Sequence, residues 1–314
     1  MGFHAVIHRS ILAGLLTALL CLIGTTAKPY WQSRGSAYNS NFPSGAVTCT
    51  PQCPGDLVTG AFSWSGLRCY NAAYAGNVAD VYAPLDASHT LITCSAGGTL
   101  NETLQALATT CAVSCTVKTL YDQSGAGACS GACNYTQATI ANRPAFISSC
   151  VGSLPCMRFV GASAQQLQTA ALGAAKNQAY TASLVALRNG SPGFYSSPWG
   201  TAPASNEVMV GGTDGADSWR MNGGSNIFDE TTPTDNADHA FQAVFNGASS
   251  DFVVDGTSNT GDAGARTLSG TMLIGADKFN NWTGDVFEVG LWNSAFSAGN
   301  RTGMNTNQHT YWGF

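Results

Sequence analysis

Short apolar runs broken by Gly, Asn and Asp recur through the C-terminal half of the chain. Thr181 to Leu187, Glu207 to Val210, Ser218 to Met221, Phe241 to Phe245 and Asp251 to Val254 each have the length of a strand, with no helical pattern between them. Parallel strands would need helical crossovers, so the pattern predicts an antiparallel sandwich. Asn246-Gly247 and Asp255-Gly256 are turn dipeptides, the first inside a hairpin whose loop exceeds two residues. Two further apolar runs, Met272 to Ile274 and Val286 to Trp292, flank a polar loop rich in Gly and Asn. Asp277 stands where the first of them ends.

Upstream the pattern is weaker. Ala61 to Tyr74 reads as a short helix despite Gly66, and Leu100 to Thr109 as a better one, because Asn101 can cap it and Leu104 and Leu107 share a face. Val117 to Tyr121 is a strand ending at the polar turn Asp122-Gln123-Ser124-Gly125, and Pro144 to Ile147 and Met157 to Val160 are extended. The tail Asn307 to Gly313 is expected to pack its aromatic residues on the sheet.

The N-terminus has the form of a signal peptide. His4, His8 and Arg9 precede the apolar run Ile11 to Gly24, and Thr25-Thr26-Ala27 then lead to Lys28. This run is shorter than the ~20 apolar residues of a membrane span. Leu20 is too large for the position before a lipid-modified Cys21. The division expected is a signal peptide at 1–27, a Gly/Ser/Asn-rich leader at 28–45 and one sandwich domain at 46–314. A secreted protein is implied, or a periplasmic one in a bacterium, with no membrane insertion after cleavage.

Composition narrows the chemistry. Charged residues are 10% of the chain, Gly numbers 36, and the formal net charge is −5. No Lys/Arg cluster could neutralise phosphates, which excludes nucleic acid as a partner class. Setting Cys21 aside, the cysteines pair naturally by spacing: Cys49/Cys53, Cys111/Cys115, Cys129/Cys133 and Cys150/Cys156 are local, leaving Cys69/Cys94. Disulfides fit an oxidising compartment better than zinc does, because no pair is C-x-x-C and His is scarce nearby. Asn101, Asn134, Asn189, Asn281 and Asn300 begin glycosylation sequons, which matter only in a host that glycosylates them. The chain carries no Gly-x-Ser-x-Gly elbow and no phosphate loop, and no cofactor or metal is called for. His239 reads as a local structural partner.

Several segments resemble the catalytic domain of fungal-type α-L-arabinofuranosidase B, glycoside hydrolase family 54, with its concanavalin-like, laminin-G-like sandwich. They are Cys115-Thr-Val-Lys-Thr-Leu-Tyr121-Asp-Gln-Ser-Gly125 with Thr136-Gln137-Ala138, and upstream Gly66-Leu-Arg-Cys-Tyr70, Tyr74-Ala-Gly76, Leu85-Asp86 and Ser95-Ala-Gly-Gly98. Leu273-Ile-Gly-Ala-Asp277, followed by Gly284 and Glu288, is a further match. The resemblance covers roughly residues 50 to 314. It implies an all-β fold, a concanavalin-like (jelly-roll) antiparallel β-sandwich with short helices and disulfide-bonded loops. In the family the Asp matching Asp277 is the general acid/base, so Asp277 inherits that role. Asp122 and Glu288 read as structural.

A retaining glycosidase also needs a nucleophilic carboxylate roughly 5 to 5.5 Å from the acid. In the family a Glu stands two residues before Asn-Leu-Phe; here Asn226-Ile227-Phe228 has Gly224 at that place, and Asn222 replaces an Asp. The acids nearby are Asp229 and Glu230, directly after Phe228, with Glu230 taken as the first substitute, and upstream Asp214, Asp217 and Glu207. Trp219 and Trp282, with Asn222 and Asn226, are the residues expected to meet sugar; Trp199 and Tyr195 share their Gly/Ser/Asn-rich surroundings. Two functions follow. One is a secreted α-L-arabinofuranosidase-like hydrolase acting on arabinose-containing polysaccharide without the expected nucleophile. The other is a non-catalytic laminin-G-like module that binds glycan or joins a surface assembly. Oligomeric state cannot be read from the sequence.

Overall fold

The computed structural model describes residues 47–48, 52–84, 87–100, 111, 114–190, 196–202, 207–213, 218–232, 234, 236–277 and 279–314. The signal peptide, the leader, Cys49 and the helix expected at Leu100 to Thr109 lie outside them, apart from Leu100, which is in the strand Thr99–Leu100. No described helix is long and apolar enough to cross a membrane.

The strands are antiparallel and form two layers. In one, Thr257–Gly261, Ser250–Val254, Asp238–Phe245, Tyr180–Arg188 and Gly284–Trp292 pair in that order. Gly284–Trp292 then divides its free edge: its first residues pair with Leu154–Phe159 and its last with Ala61–Gly66. The other layer runs from Ser88–Ser95 through Asn77–Ala83, Thr116–Leu120, Tyr135–Thr136, Leu167–Gln168, Thr271–Ile274, Trp199–Ala202, Met209–Thr213 and Trp219–Asn222 to Asn226–Asp229. The layers connect along one side, where Ala145–Val151 pairs with both Thr116–Leu120 and Leu154–Phe159. The result is the antiparallel sandwich expected, nearly closed on itself.

Between the layers lies an aromatic core. Trp219 of one layer meets Phe241 of the other edge-on at 5.0 Å, and Phe241 stacks on Phe252 at 6.2 Å. Both geometries are favoured by the ring quadrupole. Disulfides join Cys69–Cys94, Cys111–Cys115, Cys129–Cys133 and Cys150–Cys156, four of the five pairs drawn from the spacing. Cys53 is also disulfide-bonded.

Two elements differ from the sequence reading. Ala61–Gly66 is a strand, not a helix, and all six of its residues are buried. Tertiary pairing overrides local propensity here: the strand fills the remaining edge of Gly284–Trp292, and the Asp-Gln-Ser turn holds it there. Asp122 Oδ1 accepts the Trp64 amide at 2.9 Å, while Gln123 Nε2 donates to the Gly66 and Arg68 carbonyls, each at 3.0 Å. Asp122 is thus structural, as expected.

The second difference is the C-terminal tail, which forms the helix Ala298–Trp312. Ser297 caps it by accepting the Asn300 amide, and Gly313 ends it at φ 78°. Its buried residues Met304, Asn307, Gln308, Tyr311 and Trp312 fall on one stripe. That stripe packs on the sandwich around one buried ion pair. Arg68 and Glu288, 0% and 1% exposed, pair through Nε at 2.5 Å and Nη2 at 2.8 Å. Gln308 Nε2 and Trp312 Nε1 then donate to the same carboxylate at 2.9 and 3.0 Å. Glu288 is therefore structural, as its place in an apolar strand suggested.

Candidate functional site

Register identifies the surface that carries the polar chemistry. Directly opposed residues in neighbouring strands share a face, so Leu273, Gly200, Met209, Asn222 and Asn226 form one row across five strands. Alternation puts Trp199, Val210, Met221 and Ile227 on the other face, in the core. Two residues before Met209, Glu207 lies on the same side as the row. Two before Asn222 comes Arg220, with Phe228 opposite it. Glu207 and Arg220 are buried at 7% and 4% exposure. Gly212 leaves room for the guanidinium: a β-carbon there would stand 3.3 Å from Arg220 Nε.

Asp277 reaches this face by a reversal of the chain. Gly275, at φ 79°, turns the backbone out of Thr271–Ile274, and a side chain at that position would run into the Phe159 ring. The loop is closed by Trp282 N donating to Gly275 O at 2.8 Å and Asp277 N to Asn280 O at 3.0 Å. Asp277 Oδ1 accepts the Phe279 and Asn280 amides at 2.7 and 2.8 Å. Its Oδ2 is buried and has no hydrogen-bond partner among the described residues.

This environment makes Asp277 an unusual carboxyl. Burial pushes its pKa up, the two backbone amides pull it down, the charge of Glu207 raises it again and Arg220 lowers it; the result is about 7. A buried carboxyl half-protonated near neutrality, beside a second carboxylate, can give a proton and take one back.

The other sequence-nominated residues fall differently. Asn222 and Asn226 lie on the same face, joined Nδ2 to Oδ1 at 2.6 Å, and Asn222 Oδ1 also accepts Arg266 Nη1 at 3.3 Å. Arg266 Nη1 reaches the Glu207 carbonyl at 2.7 Å and so ties that residue to the row. Glu230 is exposed, just beyond Asn226–Asp229. Its neighbour Asp229 is buried. Burial would raise its pKa, but hydrogen bonds from Thr232 and Thr231 hold it below the usual carboxylate range, which marks a turn-forming role. Gly224 occupies the hairpin tip at φ 119°, and a β-carbon there would meet Arg266 Cγ at 3.4 Å.

Trp219 and Trp282 are corrected. Each is 0% exposed and belongs to the core, their rings 6.4 Å apart, so neither offers a face to a sugar. Trp199 is likewise 0% exposed; Tyr195, Asp214 and Asp217 lie outside the described residues. His239 bonds Asp255 Oδ2 through Nδ1 at 2.6 Å and meets the Trp219 ring, the structural partnership expected of it. Glu207 carried one usable signal in the sequence: it alternates with Val208 and Val210 in phase with Met209.

No family model matches the sequence, and no curated protein matches it. Among solved structures, the chain is similar to an arabinofuranosidase complexed with arabinofuranosyl-α-1,2-xylobiose, with a TM-score of 0.58 at 15% identity, covering 82% of this chain. It is also similar to a family 54 α-L-arabinofuranosidase soaked with a cyclic sulfate inhibitor, with a TM-score of 0.59 at 14% identity and the same coverage. The chain spans 65% of the length of each. At such identities the likeness is one of fold: this sandwich is similar to those of solved arabinofuranosidases, one of them of family 54.

Proposed function

We propose that this chain is a secreted glycoside hydrolase that removes α-L-arabinofuranosyl groups from arabinose-containing polysaccharide, with Asp277 as acid/base and Glu207 as nucleophile. The observation that carries the reading is the placement of Asp277: buried, pushed up to a pKa of about 7, and raised in part by the charge of Glu207. A carboxyl that keeps its proton near neutrality, with a second acid close enough to raise its pKa, is the pairing that acid and nucleophile require. The shared fold supports the substrate class, and the apolar N-terminal segment together with the disulfides supports secretion.

In the first step Asp277 donates its proton to the glycosidic oxygen as the bond from that oxygen to C1 breaks. The Glu207 carboxylate attacks C1 and forms a glycosyl ester. In the second step the Asp277 carboxylate takes a proton from water, the water oxygen bonds C1, and the ester opens to return the Glu207 carboxylate. Arg220 would offset the negative charge of the pair between steps.

The test is release of 4-nitrophenol from 4-nitrophenyl α-L-arabinofuranoside. Wild type should turn over, and Asp277→Asn and Glu207→Ala should each lose at least a thousandfold in kcat. Azide should rescue Glu207→Ala and yield a glycosyl azide of inverted configuration. Unchanged turnover in Glu207→Ala would remove it as nucleophile.

Gly224 favours a second reading, because the position where the resemblance expects a nucleophile carries no side chain. In that case the face is a glycan-binding surface without turnover. Wild type would then be inert toward arabinofuranosides yet retarded by arabinoxylan in affinity electrophoresis.

A further inference from the structure

Five large apolar side chains are exposed among the described residues, and the two aromatic ones, Phe279 and Phe228, both belong to the surface that carries Asp277. They stand on opposite flanks. Phe228 is three strands from Gly200, roughly 14 Å at the spacing of a sheet, on the far side of Glu207 and Arg220. Phe279 is two residues from Asp277, in the loop that folds it over the sheet, and at 63% is the most exposed of the five.

Chemistry distinguishes the flanks. A general acid must touch the oxygen of the leaving group, so the leaving sugar lies on the acid's side of the cleaved bond, opposite the nucleophile. The backbone of Phe279 already fixes the acid, its amide donating to Asp277 Oδ1 at 2.7 Å. The loop is held by the Ala276–Asn281 bridge and by the Asn280 carbonyl accepting from Asp277 N. Its aromatic side chain is thus presented to solvent from a closed turn beside the proton donor. An aromatic ring there offers an apolar face to the C–H face of a pyranose at little cost in conformational entropy.

We infer that Phe279 forms the subsite for the leaving group, stacking on the neutral pyranose main chain that carries the arabinofuranosyl branch. This rests on the hydrolase reading above. Phe279 is a binding residue and acts on the choice of leaving group, while the arabinose itself is held around Glu207 and Arg220.

The experiment compares wild type, Phe279→Ala and Phe279→Trp on an arabinofuranosyl-xylobiose, with free L-arabinose as competitive inhibitor. Phe279→Ala should raise KM about tenfold and leave the inhibition constant of arabinose unchanged, and Phe279→Trp should restore KM. An unchanged KM in Phe279→Ala overturns the inference. So does a parallel loss of arabinose affinity, which would show that the Asp277 loop had collapsed. If wild type turns over no arabinofuranoside, the hydrolase reading fails separately. Affinity electrophoresis in soluble β-1,4-xylan then decides the platform: retardation lost in Phe279→Ala and regained in Phe279→Trp supports it, and equal mobility of all three overturns it.

Discussion

Asp277 lies directly against Gly200: a β-carbon built on Gly200 would stand 3.0 Å from Asp277 Cβ and 3.2 Å from its Cα. The Val208 carbonyl, at 3.3 Å, closes the space from the other side. Gly200→Ala therefore has to displace the acid from its seat. We expect kcat on 4-nitrophenyl α-L-arabinofuranoside to fall about a hundredfold, a misplacement effect of ordinary size, with the circular dichroism spectrum unchanged.

The pH profile follows from the same carboxyl. The first step needs Asp277 protonated, so kcat/KM should fall as pH rises through about 7. Glu207→Gln removes a charge that raises this pKa, so the Asp277 carboxyl signal in carbon-13 NMR should titrate lower than in wild type. No change would mean that the two groups are not coupled.

Stability depends on the same proton with the opposite sign from an ordinary ion-paired carboxylate. The folded pKa, about 7, lies above the ordinary 3.8. Between those values the folded state binds more protons than the unfolded state, so stability falls as pH rises across that window. Above pH 7 the full penalty is present, on the order of a few kcal/mol. Asp277→Asn keeps an oxygen for the Phe279 and Asn280 amides and removes the charge. It should melt higher than wild type at pH 8 and show no such advantage at pH 4.

Arg68 and Glu288 bury opposite charges completely. Glu288→Gln leaves a buried guanidinium uncompensated and should cost about 3 to 5 kcal/mol in denaturant unfolding. Replacing both residues, Arg68→Met with Glu288→Leu, should cost much less than the sum of the single changes.

Disulfides should rank by the loop they close. Cys69–Cys94 spans 25 residues and Cys111–Cys115 spans 4. Chain entropy assigns the first about 3.5 kcal/mol and the second about 2 kcal/mol. Cys69→Ala with Cys94→Ala should lower Tm more than Cys111→Ala with Cys115→Ala.

Legibility followed the range of the interaction. The strands from Thr181 onward, the Asp-Gln-Ser turn and Asp277 were readable because alternation and turn residues are local signals. Glu207 was harder to single out because its relation to Asp277 crosses strand boundaries: register sets it, and an acid in sequence carries no mark of its cross-strand neighbours. Trp282 misled because a Gly/Asn-rich loop reads as surface, while the reversal at Gly275 carries that tryptophan inward. The helix Ala298–Trp312 was missed because Asn, Thr and Gly are poor helix formers. Only the Ser297 cap and the spacing of Met304, Gln308 and Tyr311 announced it.

Arg68 meets Glu288 across 220 residues of chain, which sets an order of events during synthesis. When Ala61–Gly66 leaves the ribosome, the strand that will pair with it does not yet exist, nor does the helix that will cover it. The growing chain must carry an exposed guanidinium and an unpaired strand edge until the strand Gly284–Trp292 and the helix Ala298–Trp312 have been made. Long-range closure of this kind slows folding and leaves sticky intermediates waiting. The helix Ala298–Trp312 acts as a latch that can shut only once its own residues have been made.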